Sequence, residues 1–132
     1  MRRPTLLCLS VAAALFAADI AYAQQPPAGI KRTPLQTVEF PDGYKTITVL
    51  AEVPAGGKAG RHTHPGIESG YILEGETDLI IEGQETRRLK AGDSYSIPAG
   101  VVHDAQVHGD KPMKFIAIYI IDKTKPLVAP AP

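Results

Sequence analysis

The chain has almost no cysteine. Cys8 is the only one in 132 residues. It falls in an N-terminal stretch that reads as a removable leader, so the remainder is left without disulfides or thiol chemistry. Long hydrophobic runs are also missing. The most apolar stretch, Leu6 to Ala18, is followed at once by Asp19 and falls short of the roughly 20 residues that cross a bilayer. Neither sign of charge dominates: 14 Lys plus Arg stand against 14 Asp plus Glu. No basic stripe points to nucleic acid or to an anionic membrane surface. There is no Gly-x-Ser-x-Gly elbow and no phosphate-binding loop. No window longer than about ten residues shows a convincing helical period.

What is present at the N-terminus has the order of an export signal. Arg2 and Arg3 supply positive charge, the apolar run follows, and Ala21-Tyr22-Ala23 is a small-x-small cleavage site. Pro4 after the twin arginine argues against a Tat route. Residues 1–23 are therefore expected to be a signal peptide, and the product periplasmic or secreted, with no membrane association after cleavage. Removing 23 of 132 residues leaves 109, enough for one domain with a modest core and too few for two. Residues 24–35 hold Pro26, Pro27, Gly29 and Pro34 and read as a linker or arm. Residues 126–132 form a Pro-rich tail unfit for a strand interior or a helix. The domain itself is expected over residues 36–125.

Every strong signal in that domain is β. Tyr44 to Val53 places Ile47, Val49 and Ala51 on one face. Strands are further expected at Thr37–Phe40, Gly70–Leu73, Thr77–Glu82, Glu85–Lys90, Tyr95–Ile97, Val101–Val107 and Lys114–Ile121. Turn signals such as Pro41-Asp42-Gly43, Glu74-Gly75 and Gly92-Asp93 separate them. A spacing of about 8–12 residues between turns is the rhythm of a sandwich or barrel. Short connections imply antiparallel pairing.

Four residues carry the chemistry: His62, His64, Glu68 and His103. His62 and His64 are two apart, so an extended strand sends both imidazoles to one face. Pro65-Gly66 then turns the chain, which lets Glu68 return toward them. Two neutral imidazoles and a carboxylate on one face suit a first-row divalent metal better than a core. Downstream, Pro98 to Gly100 makes a turn and His103 opens the next strand. Parity puts Ala105 and Val107 on its face. Asp104, Gln106 and His108 fall on the other, so His108 is expected at the surface.

The run Gly56-x5-His62-x-His64-x3-Glu68-x6-Gly75 resembles the first cupin motif, and Gly92-x5-Pro98-x-Gly100-x2-His103 resembles the second. The resemblance covers residues 36–122. It implies an antiparallel jelly-roll β-barrel holding one divalent transition metal on His62, His64, Glu68 and His103. The second motif often ends in Asn where this chain has Val107, which leaves the interior more apolar there.

Three imidazoles and one carboxylate fill at most four positions, and a six-coordinate ion would keep two open. Mixed N and O ligation accommodates Fe, Mn, Ni, Co, Cu or Zn. The family's members run as oxygenases, decarboxylases, isomerases, lyases and binding proteins, so the fold fixes no reaction. Two classes stand: a metal-dependent, dioxygenase-like enzyme on a small organic metabolite, or a non-catalytic ligand-binding module. No acid or base beside the metal can be named. Tyr71 is expected outside the barrel. Tyr95 and Tyr119 read as core aromatics with bonded hydroxyls, and Glu74, Glu76 and Asp78 as solvated hairpin charges. Arg61 either faces outward or grips an anionic substrate. Finally, Ile116, Ile118 and Ile120 alternate with Phe115, Ala117, Tyr119 and Ile121. Both faces of that strand need cover, which points to a homodimer, with the arm at residues 24–35 as the intramolecular alternative.

Overall fold

Alternation of apolar and polar side chains builds the whole molecule. The computed structural model describes residues 29–132, and every regular element among them is a β-strand. The export signal, its cleavage site, Cys8 and residues 24–28 lie outside the described residues. In chain order the strands are β1 (Lys31–Val38), β2 (Tyr44–Val53), β3 (His62–Thr63), β4 (Gly66–Glu74) and β5 (Glu76–Ile81). They continue as β6 (Arg87–Lys90), β7 (Ser94–Ile97), β8 (His103–His108), β9 (Met113–Asp122) and β10 (Ala129–Pro130). One sheet runs β1-β2-β9-β4-β7 and the other β10-β3-β8-β5-β6. All pairings are antiparallel. The expected all-β jelly roll is the architecture observed.

The core lies between the sheets. Val49, Ala51 and Val53 of β2 and Ala117, Tyr119 and Ile121 of β9 are fully buried. From the other sheet Leu79, Ile81, Leu89 and Val107 close onto them. Val107 is thus an apolar core residue, in line with the more apolar interior expected there. Ile116, Ile118 and Ile120 face the other way and stay partly open.

The arm is where the expectation needs correcting. Lys31 to Leu35 does not form a linker. It is the first part of β1, which pairs with β2 from Lys31↔Glu52 to Val38↔Thr46. The strand tolerates Pro34 because β1 is the sheet edge and its register shifts between Pro34 and Gln36; a missing backbone donor breaks nothing there. The tail likewise gives a short edge strand, with Ala129 and Pro130 opposite Thr63 and His62.

The chain changes sheet between β3 and β4, at Pro65. Gly66 makes this corner possible, because a Cβ there would lie 1.9 Å from the Ile120 carbonyl oxygen. The corner puts His62 in one sheet and Glu68 in the other.

Candidate metal centre

His62 and His103 are cross-strand partners on β3 and β8, with ring centroids 4.3 Å apart. His64 follows at the corner, 4.9 Å from the His62 ring and 4.7 Å from that of Tyr119. Glu68 comes from the opposite sheet, paired with Tyr119 and Ile97. All four side chains are buried, and one ligand atom from each lies within 4.8 Å of the rest. The structure therefore brings together all four residues singled out in the sequence.

Backbone carbonyls fix the tautomers. Nδ1 of His62 donates to the Gly60 carbonyl at 2.6 Å, Nδ1 of His64 to that of Leu127 at 2.6 Å, and Nδ1 of His103 to that of Val101 at 2.9 Å. A carbonyl can only accept, so each Nδ1 carries a proton and each neutral ring keeps a lone pair on Nε2. Burial, the largest influence, pushes His62 down to about 4, so its ring stays neutral in ordinary buffers.

Two of those lone pairs, on His64 and His103, lack donors. Nε2 of His64 and of His103 lie 2.9 and 3.3 Å from Glu68 Oε2, yet all three atoms are buried without a hydrogen-bond partner. The separations suit an ion pair when the rings are protonated; with the rings neutral, acceptors face one another and have no hydrogen to share. A cation answers this arrangement. With metal–ligand bonds of about 2.0–2.2 Å, neighbouring donor atoms sit about 3 Å apart. The residues present thus fit a divalent metal.

Glu68 divides its labour between two oxygens. Oε1 accepts the Tyr95 hydroxyl at 2.7 Å and that of Tyr119 at 3.4 Å. Oε2 is left to the histidines. Burial pushes the Glu68 carboxyl up; the hydrogen bond from Tyr95 pulls it down, and so do His103 and His64 in the state where their Nε2 carries a proton. Burial and the Glu68 charge push both tyrosine hydroxyls up, so they stay protonated donors. Tyr95 reaches Glu68 by lying across Gly70, its cross-strand partner, where a Cβ would meet the ring at 2.3 Å.

Other residues fall as parity required. Tyr71 is half-exposed on the outer face. His108 points away from the centre and meets Asp78 at 2.6 Å. Arg61 faces out, bound to Glu82 and to the Pro132 carbonyl. Three contributors were not legible in the sequence. Asp104 accepts from the Gly60 amide at 2.8 Å and so anchors the loop whose carbonyl holds His62. Leu127 holds His64 through its backbone, which leaves no sequence signature. Arg32 donates from Nη2 to His62 Nε2 at 3.1 Å; its alternation with Ile30 on one strand face was the available signal.

The residues enclose a cavity of about 20 Å³ lined by Arg32, His62, Glu68, Tyr95 and His103 with apolar neighbours, room for about one water-sized occupant. Comparison with known proteins agrees with this geometry. The cupin domain family (Cupin_2) matches residues 49–119. Dimethylsulfoniopropionate lyase DddQ of Ruegeria pomeroyi is 34% identical over 67 residues, 51% of this chain and 33% of that protein. Its crystal structure superposes with a TM-score of 0.64 at 26% identity, over 78% of this chain and 52% of that one. A Klebsiella pneumoniae protein with a double-stranded β-helix domain gives 0.65 at 20% identity, covering 90% and 99%. A cupin-like protein from Thermotoga maritima gives 0.66 at 24% identity, covering 79% and 77%. The chain spans about a third of the length of the curated relatives it matches.

The tail's grip on His64 is testable. Truncation after Lys125 removes the Leu127 carbonyl and frees the ring to rotate. Loss of such an outer partner weakens metal affinity by about ten- to a hundredfold, read by competition with a chromophoric chelator. Unchanged affinity would show that the tail has no part in the centre.

Proposed function

Because this chain belongs to the cupin family and buries three imidazoles with a carboxylate, we propose that it is a metal-dependent enzyme acting on a small organic metabolite. One observation carries the reading: His62, His64 and His103 each commit Nδ1 to a carbonyl, which leaves Nε2 as the ring nitrogen that can coordinate. These rings and Glu68 Oε2 would hold one divalent transition metal (Fe, Mn, Ni, Co, Cu or Zn). Once bound, such an ion supplies Lewis-acid or redox chemistry at its open positions. The chain's own contribution is positional. Tyr95 and Tyr119 keep Glu68 ionised and oriented, and apolar walls limit water.

The mixed ligand set with open positions supports a dioxygenase-like reaction. Likeness to DddQ, whose name is that of a lyase, supports a second reading, a non-oxidative elimination. Metal analysis of the natively purified protein is expected to find one equivalent per chain, and none after His62→Ala with His64→Ala. A full equivalent in that double variant rejects the ligand assignment. Oxygen uptake by iron-loaded protein on phenolic and keto acids marks the dioxygenase, whereas product formed equally without oxygen marks the lyase. Ligand binding without either leaves a non-catalytic periplasmic module.

Two further features belong to the reading. Export through residues 1–23 delivers the protein to the periplasm or the medium, and the exported product should have the intact mass of a chain beginning at Gln24. A retained leader rejects this. The second feature is a homodimer. Ile67 and Tyr71 of β4 lie beside Ile120 and Ile116 of β9 on the outer face, and Ile67, Tyr71, Ile118 and Ile120 remain 39–50% exposed. Within the described residues β1 extends the sheet at its edge and does not cover this face. A contiguous apolar patch of this kind is a contact surface. Sedimentation at micromolar concentration should give a dimer, converted to monomer by Ile118→Lys.

A further inference from the structure

Among the described residues Arg32 is the one arginine or lysine lining the cavity, and its bonding there is unfinished. It is half-buried on β1. Nη2 donates to His62 Nε2 at 3.1 Å, while Nε is buried with no partner at all. The lone pair that Nη2 occupies is the one His62 would offer a metal. Metal and guanidinium therefore compete for a single atom, and ligation of His62 releases Nη2.

The consequence follows from guanidinium geometry. Nε–H and the Nη2–H beside it lie on one edge of a rigid plane, a fork that matches the two oxygens of a carboxylate. Once Nη2 is released, both donors of that edge are unpaired in a largely apolar pocket. Charge points the same way. A divalent ion, ionised Glu68 and Arg32 sum to two positive charges in a buried space, and an anion between ion and guanidinium offsets them. Arg61, the other arginine near β3, is engaged outward and cannot serve.

We propose that Arg32 is the anion-binding residue of the centre, and that its occupant is the carboxylate of a small, metal-chelating organic acid; this rests on the metal centre proposed above. The acid places one carboxylate on the fork and a neighbouring oxygen on the ion. With about 20 Å³ available, only this polar head enters, and the remainder of the molecule lies outside the cavity.

Cobalt-loaded full-length protein tests this through its visible absorption, without any turnover. Lactate, malonate, pyruvate and benzoate are titrated in, with lactamide as the neutral counterpart of lactate. At least one carboxylate is expected to shift the cobalt bands, and lactamide to bind at least about tenfold more weakly than lactate. Arg32→Gln should lose about tenfold or more in carboxylate affinity, leave lactamide unaffected, and bind cobalt as tightly as the wild type or tighter. Arg32→Lys keeps the charge without the fork, should lose severalfold, and decides the matter if Arg32→Gln fails to fold. Equal carboxylate affinity in wild type and variants overturns the proposal. So does silence toward all four acids, or loss of cobalt from Arg32→Gln, which would make the residue a support for His62. Failure of the wild type to take up cobalt instead rejects the metal centre itself.

Discussion

Four buried acceptor atoms with no donor among them are the constraint around which this molecule is organised. Three imidazole lone pairs and a carboxylate oxygen within 4.8 Å cost free energy in an apolar interior, since all but that of His62 have left water without a replacement partner. The fold removes every cheap way out. Rotation of a ring would free its Nε2, but each Nδ1 is held by a carbonyl. Protonating Glu68 would supply a hydrogen, but the hydrogen bond from Tyr95 favours its charged form. Arg32 relieves one ring only.

The opposing force is ordinary sheet packing. His62 and His103 ride on one sheet, Glu68, Tyr95 and Tyr119 on the other, and the apolar layer of Val49, Ala117, Ile72 and Leu79 holds the two together. Burial of that layer, at about 25 cal/mol per Å² of apolar surface, keeps the acceptors confronted. The centre and the core are thus one structure seen from two ends. An ion that satisfied the acceptors would bind the folded state alone and stabilise it.

Legibility of these features in the sequence followed their physics. Period-two patterns declared β2 and β9, because a strand with one buried face must alternate. His62, His64, Glu68 and His103 were readable since spacing, parity and a Pro-Gly corner determine where side chains go. The β1 strand was hidden by Pro34, whose cost depends on whether the strand is central or at an edge, and that is a property of the sheet. Arg32 was hidden with it. The hydroxyls of Tyr95 and Tyr119 read as bonded, yet their partner could not be read, because it depends on which strands flank β4. Carbonyls such as that of Leu127 are common to all residues, so no pattern announces them.

The residues hardest to read lie outside the set of four. A ligand set of histidines and a glutamate serves many reactions, and nothing in the four ligands selects a substrate. Selection must come from the groups around them. Here these are a guanidinium on the edge strand, two protonated phenols on the far oxygen of Glu68, and an apolar wall that includes Leu79. Each belongs to a different element, and two of those elements, β1 and β7, are sheet edges. Edges accept insertion, proline and register shifts that a central strand refuses. The central strands can therefore keep the four acceptors fixed while the edges are free to change, and it is at β1, through Arg32, that this chain sets a cationic group beside them.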